Sequence, residues 1–335
     1  MPYIKRQNHK VEDSDLCVLV TLWSKGKNMA TQMTLNPLLA QLGYPPDAHL
    51  VIFHADDVGM CHGSNRAFLD LLEAGIVRTG SIMAACPWAP EILDYCAAHP
   101  EVDVGVHLTL NSEWSNYRWG PVAACEAAAG LVDPLGYFWQ QPAQTQIHLD
   151  ADAALAEFRA QIERVRAAGV DFTHIDAHMG AALLPELFPA YVKLGFEYNA
   201  PVLVLRQLDS AIRTRGYTDA SDADWAAFVD GLEARGMGLV DRFLITPGYG
   251  PDGDRAGDAD LYEASLRILA PGITYFSLHP NAPGDIEVIA PDHAAWRIFE
   301  YEYFRSQRLK DFLQREGIIP IGYREICTAM RAQRT

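Results

Sequence analysis

Several short stretches of this 335-residue chain set titratable side chains directly against apolar runs. Asp56 and Asp57 follow the apolar run that begins at Leu50. Two adjacent carboxylates repel, and keeping both ionised near a core is costly unless a cation or hydrogen-bond donors compensate. A plain Asp-Asp surface turn explains the pair equally well. His107 lies inside Gly-Val-His-Leu-Thr-Leu, where a single histidine is ordinarily a hydrogen-bonded core residue. His174, Asp176 and His178 alternate through a short apolar segment. In a strand all three share one face, and in a helix His174 and His178 still do, so simple packing explains them poorly. His279 ends Tyr-Phe-Ser-Leu-His before Pro280, and Arg206 ends Leu-Val-Leu-Arg. His54, two residues before Asp56, reads either as its partner or as an ordinary strand residue, and His62 as a substrate-side residue or one without a role. His9, His49, His99, His148 and His293 fall in tails, helix ends or loops and read as solvated.

Two imidazoles and one carboxylate around an open position are the usual catalytic ligand set for zinc, whereas magnesium prefers oxygen ligands and keeps its waters. A metal held this way lowers the pKa of its water and polarises a carbonyl oxygen, leaving a second carboxylate free to take the proton.

Such groups have to be carried by elements. From residue 50 onward, apolar β-branched runs alternate with amphipathic stretches, as strands alternate with helices in an α/β fold. Leu50–His54, Gly80–Ala84, Val102–Leu110, Phe172–Ala177, Pro201–Leu205, Gly238–Thr246, Ile273–His279 and Ile318–Ile321 read as strands. Helices are expected from Ser64 to Gly75, from Pro87 to near His99, over Ala151–Ala168, near Pro185–Leu194, around Asp222–Arg235 and Asp260–Leu269, and as one long element over Asp292–Glu316. Roughly eight strand–helix units give an α/β, (β/α) barrel-like, TIM-barrel-related single domain over 49–335, whose chemistry gathers at the carboxyl ends of the strands. Residues 1–48 read as an extension without clear periodicity. Two long loops interrupt the rhythm, and such loops are often functional lids. One runs from about 111 to 150 and carries Trp114, Tyr117, Trp119, Tyr137, Phe138 and Trp139. Their flat faces suit a sugar ring, and packing of the loop onto the barrel rim explains them as well. The other runs from Pro247 to Asp258.

The net charge of -16 disfavours nucleic acid and anionic membrane as partners and suits a neutral or cationic small molecule. The six cysteines form no CxxC pair, so a zinc knuckle or disulfide framework is not expected, and they read as mostly buried thiols in a reducing compartment. The apolar run Leu16–Trp23 is too short to span a bilayer, which gives a cytoplasmic expectation. A homodimer is expected on general frequency alone.

Ala55-Asp56-Asp57-Val58-Gly59 with Asn65, Gly75-Ile76-Val77 with Thr79, Gly105-Val106-His107 and Thr173-His174-Ile175-Asp176-Ala177-His178 stand in order, followed by His279-Pro280 and Gly322-Tyr323-Arg324-Glu325. From about residue 50 to 326 this set resembles the YdjC-like carbohydrate deacetylases of the ChbG/HpnK type. The resemblance implies a barrel-like hydrolase that removes N-acetyl groups from an amino sugar or chito-oligosaccharide. Asp57, His107 and His178 would hold a divalent metal, zinc by ligand chemistry with magnesium as the alternative. Asp56 would be the general base, His279 the general acid, and Arg206 a brace for the catalytic carboxylate, with His174 and Asp176 orienting the ligands.

This sequence departs from the resemblance where Met179-Gly180 replaces further histidines, and in extra length at the N-terminus and in both loops. Reaction type therefore transfers more directly than substrate. Hydrolysis of an acyl ester, a cyclic amide or a phosphoester on the same scaffold stays open, as does a non-catalytic sugar-binding protein, although binding alone requires neither Asp56 nor His279.

Overall fold

The computed structural model describes residues 35–123, 130–208, 220–247 and 257–333. Most of the expected N-terminal extension, most of the Pro247–Asp258 loop, His9, Cys17 and Cys125 lie outside them. Among the described residues seven strands form one sheet: β1 (His49–Val58), β2 (Thr79–Ile82), β3 (Val104–Leu108), β4 (Ile175–Ala177), β5 (Arg242–Ile245), β6 (Gly272–Leu278) and β7 (Ile318–Pro320). Their order is β4-β3-β2-β1-β6-β5, with β7 paired to the first residues of β1, and every pairing is parallel. The eighth expected strand, Pro201–Leu205, is reduced to two single parallel bridges, Val202 to Ile175 and Leu205 to Val240. Those bridges carry the hydrogen-bonded neighbours from β4 round to the segment leading into β5, so the sheet curls into a barrel-like α/β domain.

Parallel strands need crossover connections, and helices supply them. They are α1 (Pro37–Gln41), α2 (His62–Ala74), α3 (Ala89–Ala98), α4 (Pro142–His148), α5 (Ala151–Ala167), α6 (Phe188–Glu197), α7 (Asp222–Ala234), α8 (Ala259–Arg267), α9 (Asp285–Ile289), α10 (Pro291–Tyr303), α11 (Gln307–Glu316) and α12 (Tyr323–Ala332). Gly75 ends α2 in the left-handed conformation, and the Asp150 side chain caps α5 by accepting from Ala153 N–H. The single helix expected over Asp292–Glu316 is two helices. Ser306 caps the second by accepting from Leu309 N–H, and this local hydroxyl bond competes with helix continuation.

Alternation along the strands sorts the interior. On β1, Val51, Phe53 and Ala55 face the helices within the main apolar core, whereas Leu50 and Ile52 join Leu38, Ile273, Tyr275, Ile321 and Tyr323 in a second, smaller core. His54 and Asp56 continue the Leu50–Ile52 column, and Ser277 and His279 continue the Ile273–Tyr275 column. The inner faces thus turn from apolar to polar toward the carboxyl ends, where the candidate side chains lie.

Candidate metal and catalytic centre

Neighbouring strand residues ordinarily point to opposite faces, which would separate Asp56 from Asp57. β1 avoids this with a register irregularity between Ala55 and Val58 and a left-handed φ of +60° at Asp57. A bulge of this kind re-aims side chains beside functional sites. Asp57 Oδ1 consequently lies 3.0 Å from His178 Nδ1 and 3.6 Å from His107 Nε2. The register of β3 on β4 places His107 opposite Asp176. His178 follows β4, and Met179 and Gly180 after it both take positive φ as the chain turns away.

The arrangement fits a metal by three criteria. The candidate ligand atoms of Asp57, His107 and His178 lie within 4.8 Å of one another in a buried cluster. Asp57 Oδ1 is buried and has no hydrogen-bond partner, although His178 Nδ1 stands 3.0 Å from it. Each imidazole also has a carboxylate on its far nitrogen. His107 Nδ1 lies 2.9 Å from Asp176 Oδ1, and His178 Nε2 lies 3.0 Å from Glu113 Oε2. Carboxylates in that position fix the ring and raise ligand basicity.

Charge balance follows the same contacts. Burial opposes charge on His178, but Glu113 and Asp57 outweigh it and lift the ring to about 10. Burial would raise Asp57, yet His178 and Arg297 hold it well below the usual carboxylate range. Arg297 Nη1 donates to Asp57 Oδ2 at 2.9 Å.

Asp56 is held separately. His54 Nδ1 at 2.6 Å and the Tyr275 hydroxyl at 3.1 Å serve Oδ1, and the Ser277 hydroxyl at 2.7 Å serves Oδ2. Burial opposes its charge, but His54 and the other imidazoles prevail and lower its pKa. His279 Nε2 stands 3.8 Å from Asp56 Oδ2, with Nδ1 buried and unpartnered. Burial lowers His279 to about 4, so its ring is neutral near pH 7. Glu300 of α10 fixes this corner by accepting from His279 N–H at 2.6 Å.

The structure therefore brings together Asp56, Asp57, His107, His178 and His279, with His54, His174 and Asp176 behind them. It does not bring Arg206 there. Arg206 was expected to brace the catalytic carboxylate, but Nε reaches Glu233 at 2.6 Å and Nη1 reaches Asp241 at 3.0 Å. It braces the seam that closes the barrel, and the arginine on the site carboxylate is Arg297. Trp119 is 2% exposed with its ring 6.2 Å from His178, and Phe138 is fully buried, so these aromatics pack the loop onto the rim. Trp114 is half-buried beside Arg297. His293, expected to be solvated, is 5.3 Å from the Trp114 ring. Cys61, Cys86, Cys96 and Cys327 are buried free thiols as expected.

Glu113, Arg297, Tyr275, Ser277 and Ser81, whose hydroxyl meets His107 Nδ1 at 2.9 Å and donates to Asp176 Oδ2 at 3.0 Å, escaped sequence reasoning. Tyr275, Ser277 and His279 did carry a signal: polar groups at period two on an otherwise apolar strand. Glu113 and Arg297 carried none, since one lies in a loop and the other on a helix crossing from far along the chain.

Fold and centre together define a barrel-like α/β protein with an Asp-His-His cluster beside a second buried aspartate. The chain belongs to the YdjC-like protein family, whose pattern matches residues 50–315. A Thermus thermophilus protein named carbohydrate deacetylase is 34% identical over 80% of this chain and 89% of its own length. A Thermoanaerobacter pseudethanolicus protein of the same name is 31% identical over 45% of this chain, and the match spans 59% of that protein. A Yersinia enterocolitica chitooligosaccharide deacetylase is 27% identical over 47% of this chain and 60% of its own length. A solved Enterococcus faecalis structure, titled a putative cellobiose-phosphate cleavage protein, shares the fold with a TM-score of 0.66 at 20% identity, covering 82% of this chain and 98% of that one.

Proposed function

We propose that the protein is a divalent-metal-dependent deacetylase that hydrolyses the N-acetyl group of an amino sugar or acetylated oligosaccharide. One observation carries the reading: Asp57 Oδ1 is buried without a hydrogen bond between two imidazoles that are each backed by a carboxylate. Asp57, His107 and His178 would hold the ion, zinc by ligand chemistry with magnesium as the alternative. When bound, the ion supplies an activated water and stabilises the oxyanion that develops on the acetyl carbonyl.

The remaining work falls to the chain. Asp56 takes a proton from the attacking water on Oδ2, the oxygen that receives only the Ser277 bond. His279, neutral at the start, receives on Nε2 the proton that Asp56 Oδ2 took from water, 3.8 Å away, and delivers it to the leaving nitrogen, which returns Asp56 to carboxylate. Tyr275 and Ser277 keep Asp56 oriented through both stages. Atoms balance: water supplies oxygen to acetate and hydrogen to the amine.

The test is release of acetate from mono- and oligosaccharide N-acetyl substrates with zinc, magnesium and chelator compared. Asp56→Asn is expected to keep the metal and lose at least about a hundredfold in kcat, and His178→Ala to lose the metal. Full turnover by the Asp56 variant would remove the base from the scheme. No acetate from these substrates together with phosphate release from a sugar phosphate ester would favour a phosphoester hydrolase.

A further inference from the structure

α5 packs on the barrel through Ala153, Ala154, Phe158, Ile162 and Val165, and the same face buries two polar residues completely, Glu157 and Gln161. They stand one turn apart and bond to each other, Gln161 Nε2 donating to Glu157 Oε1 at 2.7 Å. Taking a carboxylate out of water is costly, and apolar side chains would fill the face without that penalty.

The pair grips backbone at both ends of one segment. Gln161 Oε1 accepts from Thr109 N–H at 2.9 Å, and Nε2 donates to Thr109 O at 2.7 Å. β3 ends at Leu108, so this amide pairs the next residue much as a neighbouring strand would. Glu157 Oε1 accepts from Val122 N–H at 2.9 Å and Oε2 from Ala123 N–H at 2.8 Å. Between the two grips the chain closes on itself. The Ser112 hydroxyl oxygen accepts from Trp119 N–H at 3.0 Å and from Arg118 Nε at 3.2 Å. Glu113 stands in that turn, 3.0 Å from His178 Nε2. No strand ladder places it there. His107, by contrast, lies on β3, which is paired to β2 and β4, and it also meets Asp176. A group on a loop keeps a precise position only when neighbouring contacts hold the loop.

We propose that Glu157 and Gln161 are positioning residues for the centre: by gripping both exits of the 112–119 turn they set where Glu113 stands, and through it how His178 faces the ion. This rests on the reading that Asp57, His107 and His178 hold a metal, and is independent of which bond is hydrolysed.

Gln161→Met tests the proposal in the full-length protein, because it keeps the length of the side chain and removes both bonds to Thr109. Zinc affinity is read by competition with a chelator. The expected result is a loss of about tenfold, the scale for removing a group behind a metal ligand, with a shifted visible absorption spectrum of the cobalt(II)-loaded protein. Added to Glu113→Gln, the same substitution should cost less than about twofold, because its effect passes through Glu113. Glu157→Gln sets an amide N–H against the N–H groups of Val122 and Ala123 and should show the same dependence on Glu113. If Gln161→Met does not fold, the Glu157→Gln measurements decide. Thermal unfolding of the zinc-free variants separates positioning from packing. A lowered midpoint with the wild-type zinc constant and cobalt spectrum, or equal losses of affinity with and without Glu113, would overturn the proposal. Wild-type protein that binds no zinc would overturn the metal reading and this proposal with it. Zinc binding that depends on the pair, without acetate release from any sugar, would support the proposal and remove only the deacetylase reading.

Discussion

At Asp57 a non-glycine residue is held at φ +60°, a conformation that costs about 1 kcal/mol and that aspartate tolerates better than most. The return is geometric, since it brings two consecutive carboxylates to one cluster. Glu113 matters in a different way, by fixing which nitrogen His178 turns toward Asp57. Glu113→Gln is expected to weaken zinc affinity by about ten- to a hundredfold in competition with a chelator; an unchanged constant would leave Glu113 as a bystander. The two arginines separate cleanly. Arg206→Met should lower stability by about 3 kcal/mol, the scale for breaking a buried pair, and leave kcat of the folded protein intact. Arg297→Met should lower kcat or metal content. Denaturant unfolding and acetate release on both variants check this, and the reverse pattern would restore Arg206 to the centre.

Among the elements, α10 reaches the centre from outside the sheet, with Arg297 on Asp57 and Glu300 on His279 N–H. Glu300 also accepts from Thr246 and Tyr262, yet burial raises it to about 7. Its folded pKa thus exceeds the unfolded one, so the contribution of Glu300 to stability is fully present below about pH 4.5 and is lost as pH rises through about 7. Glu300→Gln should flatten that slope in urea unfolding measured from pH 4.5 to 7.5; an unchanged slope would assign it to another group. Gly105→Ala should cost about 2 kcal/mol through overpacking against His174, read in the same unfolding experiment.

These elements also mark the limit of what sequence could disclose. The polar alternation of His174, Asp176 and His178 was visible because a strand period of two projects one face into a linear pattern. The bulge at Asp57 was not, since nothing in Ala-Asp-Asp-Val names a positive φ. Arg206 was misplaced because its position at a strand end resembles a site position, while the Asp241 and Glu233 that claim it lie 35 and 27 residues later. The helix break before Ser306 was legible only in hindsight from its capping serine.

For the molecule as a whole, the barrel interior is divided along its axis into an apolar base and a polar crown, with α1 and α12 closing the base and the loop after β3 covering the crown. Tyr117 hydroxyl donates to Met60 O at 2.6 Å and Asn116 to Val288 O at 2.7 Å, so that loop is tied to both sides of the centre. Asp57, His107 and His178 are each at most 4% exposed beneath these ties. Among the described residues no helix is long and apolar enough to cross a membrane. Seven strands and two single bridges suffice to gather ligands from positions 57, 107 and 178 at one point. The most direct test is an anomalous difference map from crystals of the full-length protein grown with zinc. The account predicts a strong peak bounded by Asp57 Oδ1, His107 Nε2 and His178 Nδ1, and a map with no peak there at saturating zinc would contradict it.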